Sequence, residues 1–131
     1  MRTHGPSIER LSFSENNVGN DVAGAFARTI GDPTSCVTRI SMAHNCLRST
    51  GVSRLATAMR DNRILVSMDL SRNPMGSKGL LHLSTALEAN RHLRELVLDC
   101  CGIDAEGCKG LAAAMKVNRT LTKIDLADNN L

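Results

Sequence analysis

The sequence predicts an α/β solenoid, a right-handed stack of short units with a parallel sheet on its concave face and helices on its convex face. One pattern recurs every 28 to 29 residues. The first part of each copy alternates apolar and polar residues, which is the period of a strand, and the second part carries apolar residues at i, i+3 and i+4, which is the period of a helix. Each unit is therefore expected to contain a strand, a turn, a helix and a turn.

The strand half of the unit follows one formula: apolar-x-x-apolar-x-apolar-x-x-Asn-x-apolar, with Cys in place of Asn once. The copies begin at residues 8, 37, 65, 93 and 121. We assign residues 8–131 to one domain of about four and a half repeats and residues 1–7 to an N-terminal tail. The five segments read IERLSFSENNV, VTRISMAHNCL, LVSMDLSRNPM, LRELVLDCCGI and LTKIDLADNNL.

The helical half repeats at the same spacing. An apolar residue stands eighteen residues after each of the first four starts, and another follows four residues later. These positions should lie between helix and sheet: Phe26, Ile30, Leu55, Met59, Leu83, Leu87, Leu111 and Met115.

Glycine and asparagine recur at the boundaries of the predicted helices. Gly51, Gly79 and Gly107 stand at equal offsets and are expected just before the helices. An asparagine follows each of the last three helices, and we expect it to end the helix in the left-handed conformation that asparagine tolerates. These residues are Asn62, Asn90 and Asn118.

This pattern resembles the leucine-rich repeat family, specifically the ribonuclease-inhibitor-like subclass, whose units have 28 to 29 residues and a helix on the convex side. The resemblance covers residues 8–131. It implies a horseshoe in which one polar residue per unit points inward and satisfies backbone groups where the strand ends. These ladder residues would be Asn16, Asn45, Asn73, Cys101 and Asn129.

The adjacent cysteines Cys100 and Cys101 allow more than one interpretation. Cys101 occupies the ladder position, where a small residue that tolerates burial fits, and Cys100 should then face outward. A reactive or metal-binding pair is the alternative, although a zinc site needs four nitrogen or sulfur ligands. The odd total of five cysteines, without a secretory signal, favours a reducing intracellular compartment.

Composition and spacing argue against several functions. No histidine pair, phosphate-binding loop or triad of catalytic residues recurs at a useful spacing, so we expect no enzyme activity, cofactor or metal. A net charge of +3 with only two aromatic residues, Phe13 and Phe26, argues against nucleic-acid binding. No apolar run reaches the roughly 18 residues of a membrane span, so no membrane insertion is expected.

The side chains between the apolar strand positions should form the concave face. They include seven acids and five bases, a net charge of −2, whereas the rest of the chain carries +5. The acids lie toward the C-terminal units. We hypothesise that a protein partner, with a basic surface, binds there, although an ordinary solvated sheet face would look the same. The candidate residues are Asp69, Arg72, Glu95, Asp99, Asp125 and Asp128.

The sequence therefore favours a non-enzymatic protein–protein interaction module, an intracellular scaffold or recognition surface. Its expected location is the cytoplasm, with the cytoskeleton or cilium as specific settings. The resemblance implies one alternative, a GTPase-activating regulator similar to the Ran GTPase activator. A further alternative is a structural component of a cytoskeletal or ciliary assembly, with its ends joined to neighbours. The last apolar layer, Leu121, Ile124 and Leu126, lacks a following helix. We therefore expect the ends to stack on further repeats of a longer array or on a neighbouring subunit.

Overall fold

The computed structural model describes residues 8–16 and 19–131, so the assigned N-terminal tail lies outside the described residues. Strands and helices alternate along the chain. The five strands are β1 (Arg10–Ser12), β2 (Arg39–Ser41), β3 (Ser67–Asp69), β4 (Glu95–Val97) and β5 (Lys123–Asp125). The four helices are α1 (Asn20–Gly31), α2 (Ser49–Met59), α3 (Gly76–Ala89) and α4 (Ala105–Val117).

The strands form one parallel sheet in the order in which they occur in the chain. The apolar residue at the centre of each strand lies beside its counterpart in the next unit, so that Ile40 pairs with Met68 and Met68 with Leu96. Each connection passes through a helix, and consecutive helices pack side by side. The predicted α/β solenoid is thus confirmed, with an open, curved sheet. The curvature follows because helices of about 10 Å need more room than strands about 4.8 Å apart.

The core lies between the sheet and the helices. The apolar positions predicted for the helical stripe are buried in α2 and α3, where Leu55, Met59, Leu83 and Leu87 have no exposed surface. Leu111 in α4 is also buried, whereas Met115 is only half-buried. Burial of this kind supplies the main favourable term in folding. Among the described residues, no helix is long and apolar enough to cross a membrane.

The repeated glycines lie within the first helical turns, so the expectation that they precede the helices was wrong. Their role is close packing. A Cβ on Gly51 would lie 2.5 Å from the Oδ1 of Asn20 on the preceding helix. A Cβ on Gly107 would collide with the side chain and Cα of Ser77, also on the preceding helix. Only a residue without a side chain allows this approach.

The asparagines after the helices do not adopt the expected left-handed conformation. Asn90 and Asn118 have φ values of −70° and −76° with extended ψ. They are buried, and their amides join three segments of chain. The Nδ2 of Asn118 donates to the carbonyl oxygen of Leu87 at 2.8 Å, while its Oδ1 accepts from the backbone N–H of Leu121 at 2.8 Å. These asparagines link each helix end to the previous helix and to the next strand.

The left-handed conformation occurs elsewhere, and in every unit it is found at the residue just before the ladder position. Five non-glycine residues there have φ between 53° and 63°: Glu15, His44, Arg72, Cys100 and Asp128. This conformation is uncommon without glycine. In each of the first four units the residue's backbone N–H donates to a carbonyl of the next unit, for example from Arg72 to Asp99 at 2.8 Å. The stacking of units therefore holds the turn that points the ladder residue inward.

Candidate functional site

The two adjacent cysteines have different environments. Cys101 is the buried ladder residue, and Cys100, which precedes it in the chain, is exposed. Cys101 has no exposed surface, and its Sγ lies 3.3 Å from the carbonyl oxygen of Leu70 and 3.4 Å from that of Asp99. Its backbone N–H donates to the Oδ1 of Asn129 at 2.9 Å. The predicted burial of Cys101 and exposure of Cys100 are confirmed.

Thiol labelling of the native protein should separate these two cysteines. Burial raises the pKa of the Cys101 thiol to about 11, so at pH 8 it is both covered and protonated. Iodoacetamide should modify Cys100 in the folded protein and Cys101 only after denaturant is added. Tandem mass spectrometry of the peptide that contains both residues gives the site of modification. Equal labelling of both in the native state would contradict the assignment of Cys101 to the buried ladder.

The six candidate residues for partner binding occupy three places on the concave side. Asp69 and Asp125 share one row across the sheet, because each pairs with Val97, which lies between them. Arg72, Asp99 and Asp128 line a groove of about 590 Å³ at the strand ends, together with His44 and Cys100. Glu95 lies one row away from Asp69 and Asp125, toward the start of the strands. The structure therefore brings three of the six together in one groove.

The charge of Glu95 is balanced within the sheet. Its carboxylate lies 3.5 Å from the Nζ of Lys123 on the next strand. It also lies 3.9 Å from the Nη1 of Arg39, two strands away. Both partners are substantially exposed, so each pair adds little stability. Their main effect is on the electrostatic potential of the concave face. Because two positive groups lie nearby, Glu95 contributes less negative potential than its sequence position implied.

Asp99 and Asp125 form a pair of neighbouring carboxyl groups. The hydrogen bond to Asp125, partial burial and the negative charge nearby raise the pKa of Asp99. The backbone N–H of Ala127 donates to Asp125 at 3.1 Å, which together with the Asp99 bond lowers the pKa of Asp125. A proton added on mild acidification therefore goes to Asp99 first. The same diagonal contact between neighbouring units joins the hydroxyls of Ser14 and Ser41 at 2.8 Å.

Asp69 has a different local environment from Asp99. Its Oδ1 accepts from both the backbone N–H and the hydroxyl of Ser71, at 2.9 Å and 2.6 Å. These bonds fix the carboxylate while it remains partly exposed. Within the described chain, neither Asp69 nor Asp128 forms an ion pair, in contrast to Glu95.

The histidines lie apart from one another in the described part of the chain. No group of three or more His, Cys, Asp or Glu side chains there is arranged to hold a metal ion. His44 lines the concave groove, His82 lies on α3, and His92 lies in the turn before β4. His4 lies outside the described residues.

Sequence reasoning missed a second cluster of charge. Arg60, Arg63, Arg91 and His92 line one cavity on the edge of the solenoid where the helices end. The signal was available in the sequence, because Arg63, Arg91 and Arg119 recur at intervals of 28 residues directly after the boundary asparagines. What the sequence did not reveal is which residues of neighbouring turns face one another.

Comparison with known proteins agrees with the observed architecture. A family model described as "Leucine Rich repeat" matches residues 89–112 and 117–131. No curated protein sequence matches significantly. Among solved structures, the chain is similar to leiomodin-1 actin-binding site 2, with a TM-score of 0.80. The two are 22% identical, and the match covers 90% of this chain and 69% of the leiomodin chain.

Proposed function

We propose that the chain is a non-enzymatic interaction module that binds a protein partner on the concave face of its sheet. Its similarity to leucine-rich repeats in part of the sequence and in the fold supports this role. The observation that supports this most directly is the arrangement of that face. Five parallel strands present short rows of mostly polar side chains in register, and a groove at the strand ends is lined by Asp99 and Asp128 together with Arg72 and His44. Such a surface offers many weak polar contacts over several units rather than one deep pocket.

The proposed binding residues are the six named above, and the proposed partner presents a basic element. Asp69 and Asp128 form no ion pair among the described residues, Asp125 lies on β5 in the same row as Asp69, and Asp99 follows β4. Arg72 lies in the groove close to acids and would orient the partner by repulsion or by binding a carboxylate. Glu95, already paired with Lys123 and Arg39, would contribute at the margin. Electrostatic complementarity of this kind acts mainly on the rate of association.

Reversing three of the acids tests the concave-face proposal. The variant Asp69→Lys/Asp99→Lys/Asp125→Lys should lose partners that the unmodified chain captures from the native cell, as measured by quantitative mass spectrometry. For a partner identified in this way, association should slow by about tenfold at low salt and lose most of its salt dependence, as charge steering predicts.

The matched control changes the net charge equally but away from the sheet. Asp21, Ala25, Glu106 and Ala113 are exposed residues on helices, and their replacement by lysine adds the same positive charge. This control variant should capture the same partners as the unmodified chain. The concave-face proposal is wrong if the control variant loses the partners and the concave variant keeps them.

A more specific candidate is an actin-binding or other cytoskeletal role in the cytoplasm. The similarity to leiomodin-1 actin-binding site 2 motivates it, because the match extends over most of both chains. Purified actin is the direct probe. Co-sedimentation with filaments and a change in the polymerisation rate of labelled monomers would support this candidate, provided that the concave variant weakens both. Absence of binding to monomers and filaments alike would remove actin and leave the general interaction role in place.

A further inference from the structure

A second surface on this solenoid has the charge and shape of a binding site. It lies on the edge where the helices end and the chain returns to the sheet. At the C-terminal ends of α2, α3 and α4 and in the turns that follow, residues 60–64, 88–94 and 116–120 contain six basic residues and two acidic ones. The basic residues are Arg60, Arg63, Arg91, Arg94, Lys116 and Arg119. We call this surface the basic edge.

The centre of the basic edge is a cavity of about 360 Å³ between two successive turns. Arg60, Arg63, Arg91 and His92 line it. Among the described residues, no carboxylate is within ion-pair distance of these arginines. Arg91 donates from Nη1 to the carbonyl oxygen of Glu88 at 2.7 Å, which leaves the rest of its guanidinium available. Three arginines thus line one space, with Asp61 as the acid beside them.

An apolar hollow of about 280 Å³ adjoins this cavity and shares Asp61, Asn62 and Arg63 as its wall. Ile30, Pro33, Ala58 and Ile64 form the apolar part of its lining. Ile64 is 38% exposed, whereas its chain neighbour Leu65 is buried in the core. Basic residues near a helix end have a structural explanation, because they stabilise the helix dipole. That explanation does not account for an exposed isoleucine beside them.

We propose that the basic edge docks an acidic protein segment that carries one large apolar side chain. Its carboxylates would lie against Arg60, Arg63 and Arg91, where the planar guanidinium groups donate paired hydrogen bonds to carboxylate oxygens. Its apolar side chain would enter the hollow and cover Ile64. The surface is separate from the concave face, so the proposal stands or falls independently of the function proposed above.

A protein segment fits this surface better than nucleic acid does. Binding of single-stranded nucleic acid relies on aromatic side chains for stacking. The chain has two phenylalanines and no tryptophan or tyrosine. Phe13 and Phe26 pack against each other in the first unit, with ring centroids 5.6 Å apart. A phosphate backbone also offers no apolar group that could fill the hollow.

The probe is a short fluorescent peptide of aspartates and glutamates with one central leucine, followed by anisotropy. The unmodified protein should bind it, and a peptide with serine in place of the leucine should bind about tenfold more weakly. Arg60→Glu/Arg63→Glu should weaken binding of both peptides by at least about tenfold. Ile64→Ser should weaken binding of the leucine peptide to the level of the serine peptide and leave the serine peptide unaffected.

The control variant Arg48→Glu/Lys78→Glu changes the net charge equally at exposed positions away from the basic edge. It should alter binding by less than about twofold, since only distant charges change. Circular dichroism establishes that each variant is folded, and the neutral change Arg63→Gln provides a milder test in the same direction. Lack of binding by the leucine peptide, equal weakening in the control variant, or stronger binding of a single-stranded oligonucleotide or phosphatidylserine vesicles would each overturn the proposal.

Discussion

Asn73→Ala is expected to destabilise the protein by about 2–6 kcal/mol, because two buried donors lose their acceptor at about 1–3 kcal/mol each. The Oδ1 of Asn73 accepts from the backbone N–H of Asn45 at 2.9 Å and of Leu47 at 3.0 Å. Its Nδ2 donates to the carbonyl oxygens of Met42 and Leu70. Asn73 has no exposed surface, so water cannot replace these bonds without opening the core.

Urea denaturation followed by circular dichroism measures this loss. The matched control is Cys101→Asn, which places an amide at the equivalent position of the next unit. We expect that variant to change the free energy of unfolding by no more than about 1 kcal/mol, the net contribution of one hydrogen bond. A loss above about 3 kcal/mol for Cys101→Asn, or none for Asn73→Ala, would show that the ladder does not stabilise the fold as inferred.

Leu83→Ala is expected to cost about 2–5 kcal/mol, the range for removing a large apolar side chain from a packed core. Leu83 lies on the inner face of α3 in the middle of the stack and has no exposed surface. Helices α2 and α4 pack on either side of α3, and the sheet lies below it, so the space left by the side chain cannot close easily. Thermal and urea denaturation of the variant give the measurement.

Two further substitutions make the Leu83 result interpretable. Leu111→Ala, in the last helix, removes a side chain that is 5% exposed and should cost a similar or smaller amount. Lys116→Ala, on the exposed side of the same helix, should stay within about 0.5 kcal/mol. Loss of stability in Lys116→Ala equal to that in Leu83→Ala would mean that the buried face of the helices has been misassigned.

The sequence predicted the fold and several buried positions because each is tied to the repeat. The repeat starts five times in the chain. Its spacing predicts the strand register, the buried side chains of α2 and α3 and the burial of Cys101. Stacking in register turns equal offsets into spatial neighbours, so a residue type that recurs at one offset marks one environment. Asn45 and Asn73 therefore implied a buried place for Cys101.

The repeat spacing also identified the recurring glycines and asparagines, but the structural roles predicted for them were wrong. Gly51 and Gly107 recur because neighbouring helices approach closely, and Asn90 and Asn118 recur because their amides bridge units. Both roles depend on contacts between units about 28 residues apart in the chain. Local preferences of glycine for turns and of asparagine for helix ends could not distinguish these contacts from ordinary boundaries.

The sequence by itself determined which residues face the concave side, because strand alternation sets the face on which each side chain lies. Only the tertiary structure decided how much charge those residues present. Glu95 is paired with Lys123 on one neighbouring strand and with Arg39 two strands away, and the neighbouring carboxyl group of Asp125 raises the pKa of Asp99. The pairing of charges depends on distances between side chains of different units, and an electrostatic interaction falls with distance through space rather than along the chain.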